Sequence, residues 1–245
     1  YDIVVDSENG IPFFTPLFST KPVVLLIHHV HQEIFREHLR FPFSAIAKFI
    51  EGKLMPFVYR NNKVITVSES SQNEIVKTGI AKLENISIVN PGIDVPIKIH
   101  RKSAFPTITY LGRLKAYKNI DVAIKAFAQV NKYIKSSRLW IIGEGENMGN
   151  LRDLVIQNNL TNKTTFFGKV NDKEKTRLLG ESWVMVQPSS LEGWGITVLE
   201  ANACKTPVVA SNTKGLRDSI VDNKTGLLVK VRDVKGFTSS LRQVL

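Results

Sequence analysis

Pro188-Ser189-Ser190-Leu191-Glu192-Gly193-Trp194-Gly195-Ile196-Thr197-Val198-Leu199-Glu200-Ala201 is the stretch that decides the fold. Two carboxylates, Glu192 and Glu200, bracket a Gly-Trp-Gly turn and the start of an apolar helix. Trp183 to Gln187, just before it, is a short apolar strand. Strand, loop, glycine turn and helix in that order make the unit from which parallel α/β sheets are built. A helix that opens on glycines offers unpaired backbone N–H groups and the positive end of its dipole, which suits a phosphate. A carboxylate on each side would repel that phosphate unless each is committed elsewhere. Sugar hydroxyls fit that role, because an ionised Glu accepts several hydrogen bonds. The expected ligand is therefore a diphosphate with a hydroxyl-rich ring at each end, a nucleotide-sugar.

Working outward, the second half of the chain alternates strands and helices. Strands are expected at Thr107–Leu111, Arg138–Gly143, Thr165–Gly168, Val184–Gln187, Pro207–Ser211 and Gly226–Val231. Between them fall helical stretches at Asn119–Ile134, Asn147–Asn158, Lys173–Ser182, Ile196–Ala203 and Val234–Leu245. Ile120, Ala123, Ile124, Phe127 and Val130 share one face of the first of these. Continuous apolar strands between helices predict a parallel sheet covered on both faces. The first half repeats the pattern less completely, with strands expected at Ile3–Val5, Val23–His28, Val64–Ser68 and Ser87–Val89. Ile46, Phe49, Ile50, Leu54 and Phe57 lie at helical spacing within 43–59, and Pro56 is expected to end or kink that helix. The fold class is α/β with two Rossmann-like domains, the N-terminal one (1–96) incomplete, a linker over 97–106, and a second domain over 107–245.

Composition narrows the function. Hydrophobic content of 43% and charged content of 22% are those of a globular protein. No apolar run is long enough to span a bilayer. The chain opens Tyr1-Asp2-Ile3-Val4-Val5 with no secretory signal, which gives the expectation of a fragment of a cytoplasmic protein. The single cysteine, Cys204, excludes an intrachain disulfide and a cysteine metal cluster, and its neighbours make it a core residue. Net charge is +11 and uneven: residues 1–104 hold 12 Lys and Arg against 10 Asp and Glu, residues 105–245 hold 21 against 12. A basic second half suits a polyphosphate. Nucleic acid is not expected as a partner, since no zinc-finger spacing or RNA-binding aromatic signature occurs.

Open parallel sheets bind ligands beyond the carboxyl ends of their strands. Three polar loops reach that edge. Gly112-Arg113-Leu114-Lys115-Ala116-Tyr117-Lys118 follows one strand, and Arg113 as a fork and Lys118 as a point charge can flank a diphosphate. Gly143-Glu144-Gly145 follows the next, where glycine permits close approach. The Glu192–Glu200 segment is the third, with Glu200 about one turn inside its helix.

With these residues in view, the chain resembles the GT4-type retaining glycosyltransferases (glycosyl transferases of group 1), which have the GT-B architecture. The resemblance rests on Glu192-Gly-Trp-Gly-Ile-Thr-Val-Leu-Glu200 as an E-x7-E motif, on Gly112-Arg113-Leu114 with Lys118-Asn119, on the turn Asn90-Pro91-Gly92-Ile93-Asp94, and on Pro207–Ala210. It implies that Arg113 and Lys118 hold the diphosphate, that Glu192 meets the donor sugar and Glu200 the ribose. It implies that the backbone over Gly193, Trp194, Gly195 and Ile196 cradles phosphate, that Gly112 and Gly143 line the donor site, and that main chain near Val170 meets the base. It also implies a histidine facing the donor sugar; His29 and His31 lie close by, and His28, which directly ends the apolar run Val23–Ile27, is the candidate.

The expected activity is transfer of a hexose from a nucleotide-sugar to an acceptor hydroxyl with retention, in polysaccharide or glycolipid synthesis. No cofactor and no metal are expected; the spacing of His28, His29 and His31 does not put three ring nitrogens on one side of a strand. The acceptor is a saccharide or a lipid-linked molecule, left unnamed. Residues 41–60 combine an apolar stripe with Lys48, Lys53 and Arg60, which also suits peripheral contact with the cytoplasmic membrane face, although packing on the domain's own sheet is the expected role. Two other readings stay open here: a sugar-nucleotide epimerase of the same fold, and a non-catalytic module that binds polyanions or membranes.

Overall fold

The computed structural model describes residues 1–32, 35, 39–96, 98 and 100–245. The chain divides into two compact units, Tyr1–Pro91 and Gly92–Leu245. Each is built on its own parallel sheet.

In the first unit the strands β1 (Val4–Glu8), β2 (Val23–Ile27), β3 (Lys63–Thr66) and β4 (Ile86–Ile88) pair in the order β1-β2-β3-β4. Val4 pairs with Val23 and Leu25 with Val64. Leu25, Ile27, Val64, Ile75 and Ile80 form its core with Met55 and Tyr59. Helix α1 (Phe43–Phe49) runs through a π-helical turn, Ile50–Leu54, into α2 (Met55–Tyr59). Pro56 therefore does not end the helix. It lacks the N–H for the usual bond four residues back, and the wider turn directly precedes it.

The buried face of this helix is also not the expected one. Ala47, Glu51, Met55 and Tyr59 are buried, whereas Ile46, Phe49 and Phe57 are 52%, 63% and 78% exposed. Those four lie at strict four-residue intervals, and Tyr59 is drawn inward by a hydrogen bond of 2.5 Å to Asp6. A further helix, α3 (Glu69–Thr78), is present where the apolar pattern of the sequence predicts none. Its ends carry plain signals: Ser68 accepts from the Ser71 N–H, and Gly79 closes it in the left-handed conformation.

In the second unit β5 (Thr107–Leu111), β6 (Arg138–Ile142), β7 (Thr164–Gly168), β8 (Val184–Gln187), β9 (Val208–Ser211) and β10 (Gly226–Val229) assemble as β10-β9-β8-β5-β6-β7, all parallel. The order reverses between β8 and β5, which is where such sheets open a crevice for ligands. Helices α4 (Ile120–Tyr133), α5 (Met148–Gln157), α6 (Asp172–Glu181), α7 (Ile196–Ala203), α8 (Leu216–Ser219) and α9 (Val234–Val244) cover it. One face carries a core of Ile108, Tyr110, Ile124, Phe127, Leu139, Val186 and Phe237. The other carries Leu179, Met185, Val198, Ala201, Cys204 and Leu216. Cys204 is buried, and that burial pushes its thiol up in pKa, as expected of a core residue.

Positions 97 and 99 of the expected linker lie outside the described residues. Its later part is docked on the second unit: Ser103 N–H donates to the Glu181 carbonyl, and the Lys102 ammonium donates to Ser182 O at 2.6 Å and Thr206 Oγ1 at 2.8 Å.

Candidate functional site

The carboxyl ends of β5, β6 and β7 turn on glycines. Gly112 N–H donates to Ile142 O, and Gly143 N–H donates to Gly168 O at 2.8 Å. Gly143 has a φ of +131°, and a side chain there would put its Cβ 2.0 Å from the Gly112 carbonyl oxygen. Only glycine lets these two loops lie backbone against backbone. The result is a cavity of about 290 Å³ lined by Gly112, Arg113, Gly143, Glu144, Lys169, Val170 and Lys175. Arg113 reaches the Tyr117 hydroxyl at 3.4 Å, and Tyr110, buried beneath, donates to the Arg113 carbonyl at 3.0 Å.

The loop after β8 is held by its own polar atoms. Asn119 donates to Pro188 O at 3.1 Å and to Ser190 Oγ at 2.5 Å, and Thr213 donates to Ser190 O at 2.7 Å. Glu192 Oε1 accepts from Lys118 Nζ at 2.5 Å, from Ser189 Oγ at 2.9 Å and from Gln187 Nε2 at 3.3 Å. The Lys118 side chain is 9% exposed and that of Glu192 15%, so this pair is largely shielded from water. Gly215, at φ +77°, presses on this loop: a Cβ would sit 2.2 Å from Glu192 O.

Gly195, at φ +79°, sets the mouth of α7 at Ile196. Glu200 stands one turn inside and pairs with Lys175 of α6 at 2.7 Å. Lys175 also pairs with Asp172 at 2.8 Å. Burial works to lower the Lys175 pKa, but these two carboxylates outweigh it and hold it above the ordinary lysine value. Ile196, Glu200 and Lys175 line a second cavity, of about 630 Å³, with Gly92, Ile93, Asp94 and Pro96.

The structure thus brings Lys118 and Glu192 into direct contact and sets Gly112, Arg113, Gly143 and Val170 around one cavity. Ile196 and Glu200 line the other. Gly193, Trp194 and Gly195 form the turn between the two glutamates, and the Trp194 indole N–H is buried with no partner among the described residues. His28 belongs to the first unit, just past β2; its side chain is exposed and its carbonyl accepts from the Ser71 hydroxyl at 2.9 Å.

The sequence alone gives no role to Lys175, which lines both cavities and holds Glu200. Its signal is weak. It lies one turn into a helix capped by Asn171, among Asp172, Lys173 and Glu174, and nothing local separates it from surface charge. Ser189 and Gln187, which share Glu192 with Lys118, likewise read as ordinary loop and strand residues.

Residues 96–245 match the family model of the glycosyl transferases group 1. Among curated proteins, a glycogen synthase of Mycobacterium tuberculosis is 29% identical over 226 residues, covering 91% of this chain and 55% of that protein. An O-antigen chain mannosyltransferase of Salmonella typhimurium is 26% identical over 245 residues, covering 93% and 66%. Among solved structures, sucrose-phosphate synthase from Thermosynechococcus elongatus aligns with a TM-score of 0.80 at 19% identity, over 100% of this chain and 64% of that one. Anabaena HepE in complex with UDP and glucose aligns with a TM-score of 0.80 at 16% identity, over 99% and 68%. The likeness establishes the fold as that of the GT-B proteins. The chain spans about half the length of the first of these relatives.

Proposed function

Because the chain belongs to the family of glycosyl transferases of group 1, we propose that it moves a hexose from a nucleoside diphosphate sugar to an acceptor hydroxyl with retention of configuration, in the synthesis of a cell-surface polysaccharide or glycolipid. The observation that carries this reading is the placing of two cation–carboxylate pairs, Lys118–Glu192 and Lys175–Glu200, on either side of the helix mouth at Ile196. A diphosphate competes with carboxylates for lysine. On binding there, it would draw Lys118 and Lys175 toward its own oxygens, together with Arg113 and the amides that open α7. Glu192 and Glu200 would then be released to accept hydrogen bonds from the donor sugar and the ribose.

The same groups serve the chemistry. Breaking the anomeric C–O bond leaves positive charge on the sugar ring and negative charge on the diphosphate. Arg113, Lys118, Lys175 and the helix dipole neutralise the second of these as it develops, which is worth most in a site shielded from water. We assign no metal to the diphosphate.

The experiment is calorimetry of UDP and GDP against the chain, with the Glu200→Ala variant and with added Mg2+. One nucleotide should bind, Mg2+ should leave its affinity within twofold, and Glu200→Ala should weaken it about tenfold. Unchanged affinity in Glu200→Ala sinks the ribose assignment. Product anomers read by NMR after a donor and acceptor screen then test retention.

A second surface supports contact with an anionic bilayer as the acceptor's place. Phe41, Phe43, Phe49 and Phe57 are 84%, 66%, 63% and 78% exposed, beside exposed Lys53 and Arg60. Among the described residues no helix is long and apolar enough to cross a membrane. The aromatic stripe with flanking cations would instead lie in the headgroup layer. Flotation with anionic vesicles, abolished by Phe49→Ser with Phe57→Ser, is the expected result; binding that survives this double change rules the stripe out.

A further inference from the structure

The first unit holds a cluster that the transfer reaction does not use. Glu8 ends β1, His31 follows β2, and Glu51 sits in the π-helical turn Ile50–Leu54. Both carboxylates are 1% exposed and His31 is 8% exposed. One ligand atom from each of the three lies within 4.8 Å of the other two.

The contacts among them do not complete a hydrogen-bonded network. Glu8 Oε1 accepts from the Gly10 N–H at 2.5 Å, and Glu51 Oε1 accepts from the His31 N–H at 2.6 Å. The remaining atoms, Glu8 Oε2, Glu51 Oε2 and His31 Nδ1, are buried with no hydrogen-bond partner among the described residues. Three orphaned polar atoms in one pocket of a native fold ask for an occupant.

Charge asks for the same thing. Among the described residues, with neutral histidine, the two glutamates place a charge of about −2 in a space nearly closed to water, which is costly unless it is compensated. A proton on Nδ1 offsets only half of it and cannot satisfy both carboxylates. A divalent cation offsets all of it and displaces that proton.

Distance favours the cation. His31 Nδ1 stands 3.2 Å from Glu8 Oε1 and 3.7 Å from Glu51 Oε1. The second is too long for an N–H···O hydrogen bond. A tetrahedral ion with nitrogen and oxygen ligands at about 2.1 Å sets those ligands about 3.4 Å apart, between the two observed separations. The backbone N–H bonds to each Oε1 would then orient the carboxylates from outside, leaving the Oε2 atoms or a water to fill the remaining position.

We propose that Glu8, His31 and Glu51 form a binding site for a first-row divalent cation of the zinc type. The ion would tie the end of β1 to His31, just after β2, and to the π turn. This site rests on the first unit alone and stands apart from the nucleotide reading.

The test uses the 245-residue chain stripped with chelator and titrated with Zn2+. One equivalent should bind, with a rise in the melting temperature and release of about one proton, seen as enthalpies that differ between buffers. Co2+ in place of Zn2+ should give the strong visible bands of a four-coordinate ion. Glu51→Gln should lower Zn2+ affinity at least tenfold, while Glu84→Gln, on the surface, should leave it unchanged. Absence of saturable binding, a weak octahedral Co2+ spectrum, or wild-type affinity in Glu51→Gln would overturn the site. The Co2+ spectrum needs no variant, so it decides the matter even where Glu51→Gln fails to fold.

Discussion

The two units bury carboxylates in opposite ways. In the second, Glu192 has Lys118 to itself, and Glu200 pairs with Lys175, which also meets the exposed Asp172. In the first, Glu8 and Glu51 share a single histidine. A one-to-one pair is electrically complete and can be opened by an anion that competes for the lysine. A two-to-one cluster is incomplete among the described residues and, on the proposal above, would take a cation. On the two proposals above, the same residue type would serve opposite ligands according to the number of cations set beside it, and the difference can be tested pair by pair.

The largest effect should come from leaving one member of a buried pair alone. Lys118→Met strands Glu192 in a shielded loop and should cost about 3 kcal/mol, read as a lower urea midpoint for the second unit. Lys118→Met with Glu192→Gln should recover most of that, because the stranded charge is gone. If the double variant is no more stable than the single one, the loss belongs to packing of the lysine stem rather than to the pair.

Next comes the backbone clasp that brings the loops of the second site together. Gly143→Ala would force a Cβ into the Gly112 carbonyl at 2.0 Å while holding a φ of +131°. The expected cost is about 2 kcal/mol, with Arg113 displaced and nucleotide affinity lowered in the same titration. A wild-type urea midpoint and affinity would show that the clasp is not needed.

Hydrogen bonds around the third buried carboxylate of the first unit should matter less. Asp6 accepts from Tyr59 Oη, from Thr15 Oγ1 at 2.7 Å and from the backbone of Thr15 and Phe13. Burial pushes its pKa up, but these donors outweigh burial and hold it below the usual carboxylate value. Stability from Asp6 is therefore present above the unfolded carboxylate pKa and is lost as pH falls through the lowered folded value. Tyr59→Phe should cost about 1.5 kcal/mol at neutral pH and move that acid loss to higher pH. An acid limb that does not move would assign the transition to another group.

His31 gives the first unit a pH dependence of the other sign. Burial lowers its pKa, and the Glu51 and Glu8 carboxylates more than reverse this, pushing it up to about 9 from 6.5. Glu8, Glu51 and the adjacent His29 ring are the titratable groups described beside it. In chelator, its contribution should be full below the unfolded value of 6.5 and fade as pH rises through about 9. Saturating Zn2+ should flatten that limb, because the ion takes the proton's place.

Much of the second unit is legible in the sequence because its strands are buried on both faces. Val184–Gln187 reads as a short apolar run and appears with those bounds. The first unit hides its elements behind polar residues turned inward. The apolar pattern ends the first strand at Val5, yet it runs to Glu8, because Asp6 and Glu8 face the interior. Helix α3 shows no apolar stripe, since it buries Ser70 and Ser71 with Ile75. The aromatic stripe of 43–59 misleads for the opposite reason, being apolar and exposed. Glu192 and Glu200 stand out because a single loop and helix carry both. Glu8, His31 and Glu51 come from a strand end, a loop and a π turn, and only the fold assembles them.

The smallest effect on stability should fall at Lys175, the residue that joins the two cavities of the second unit. Its side chain is 24% exposed and that of Glu200 is 20% exposed, so solvent screens the pair. Lys175→Met should cost under about 1 kcal/mol in urea. Its effect on ligand binding should be larger: a diphosphate would lose one of the cations proposed to receive it, and nucleotide affinity should fall about tenfold. Lys163→Met, at a partly exposed cation of the same unit bonded to the Lys135 carbonyl, serves as the control for bulk charge. Equal losses of affinity in the two variants would mean that the basic second unit attracts nucleotide only through its overall field, and the exchange of lysine between carboxylate and phosphate would have to be given up.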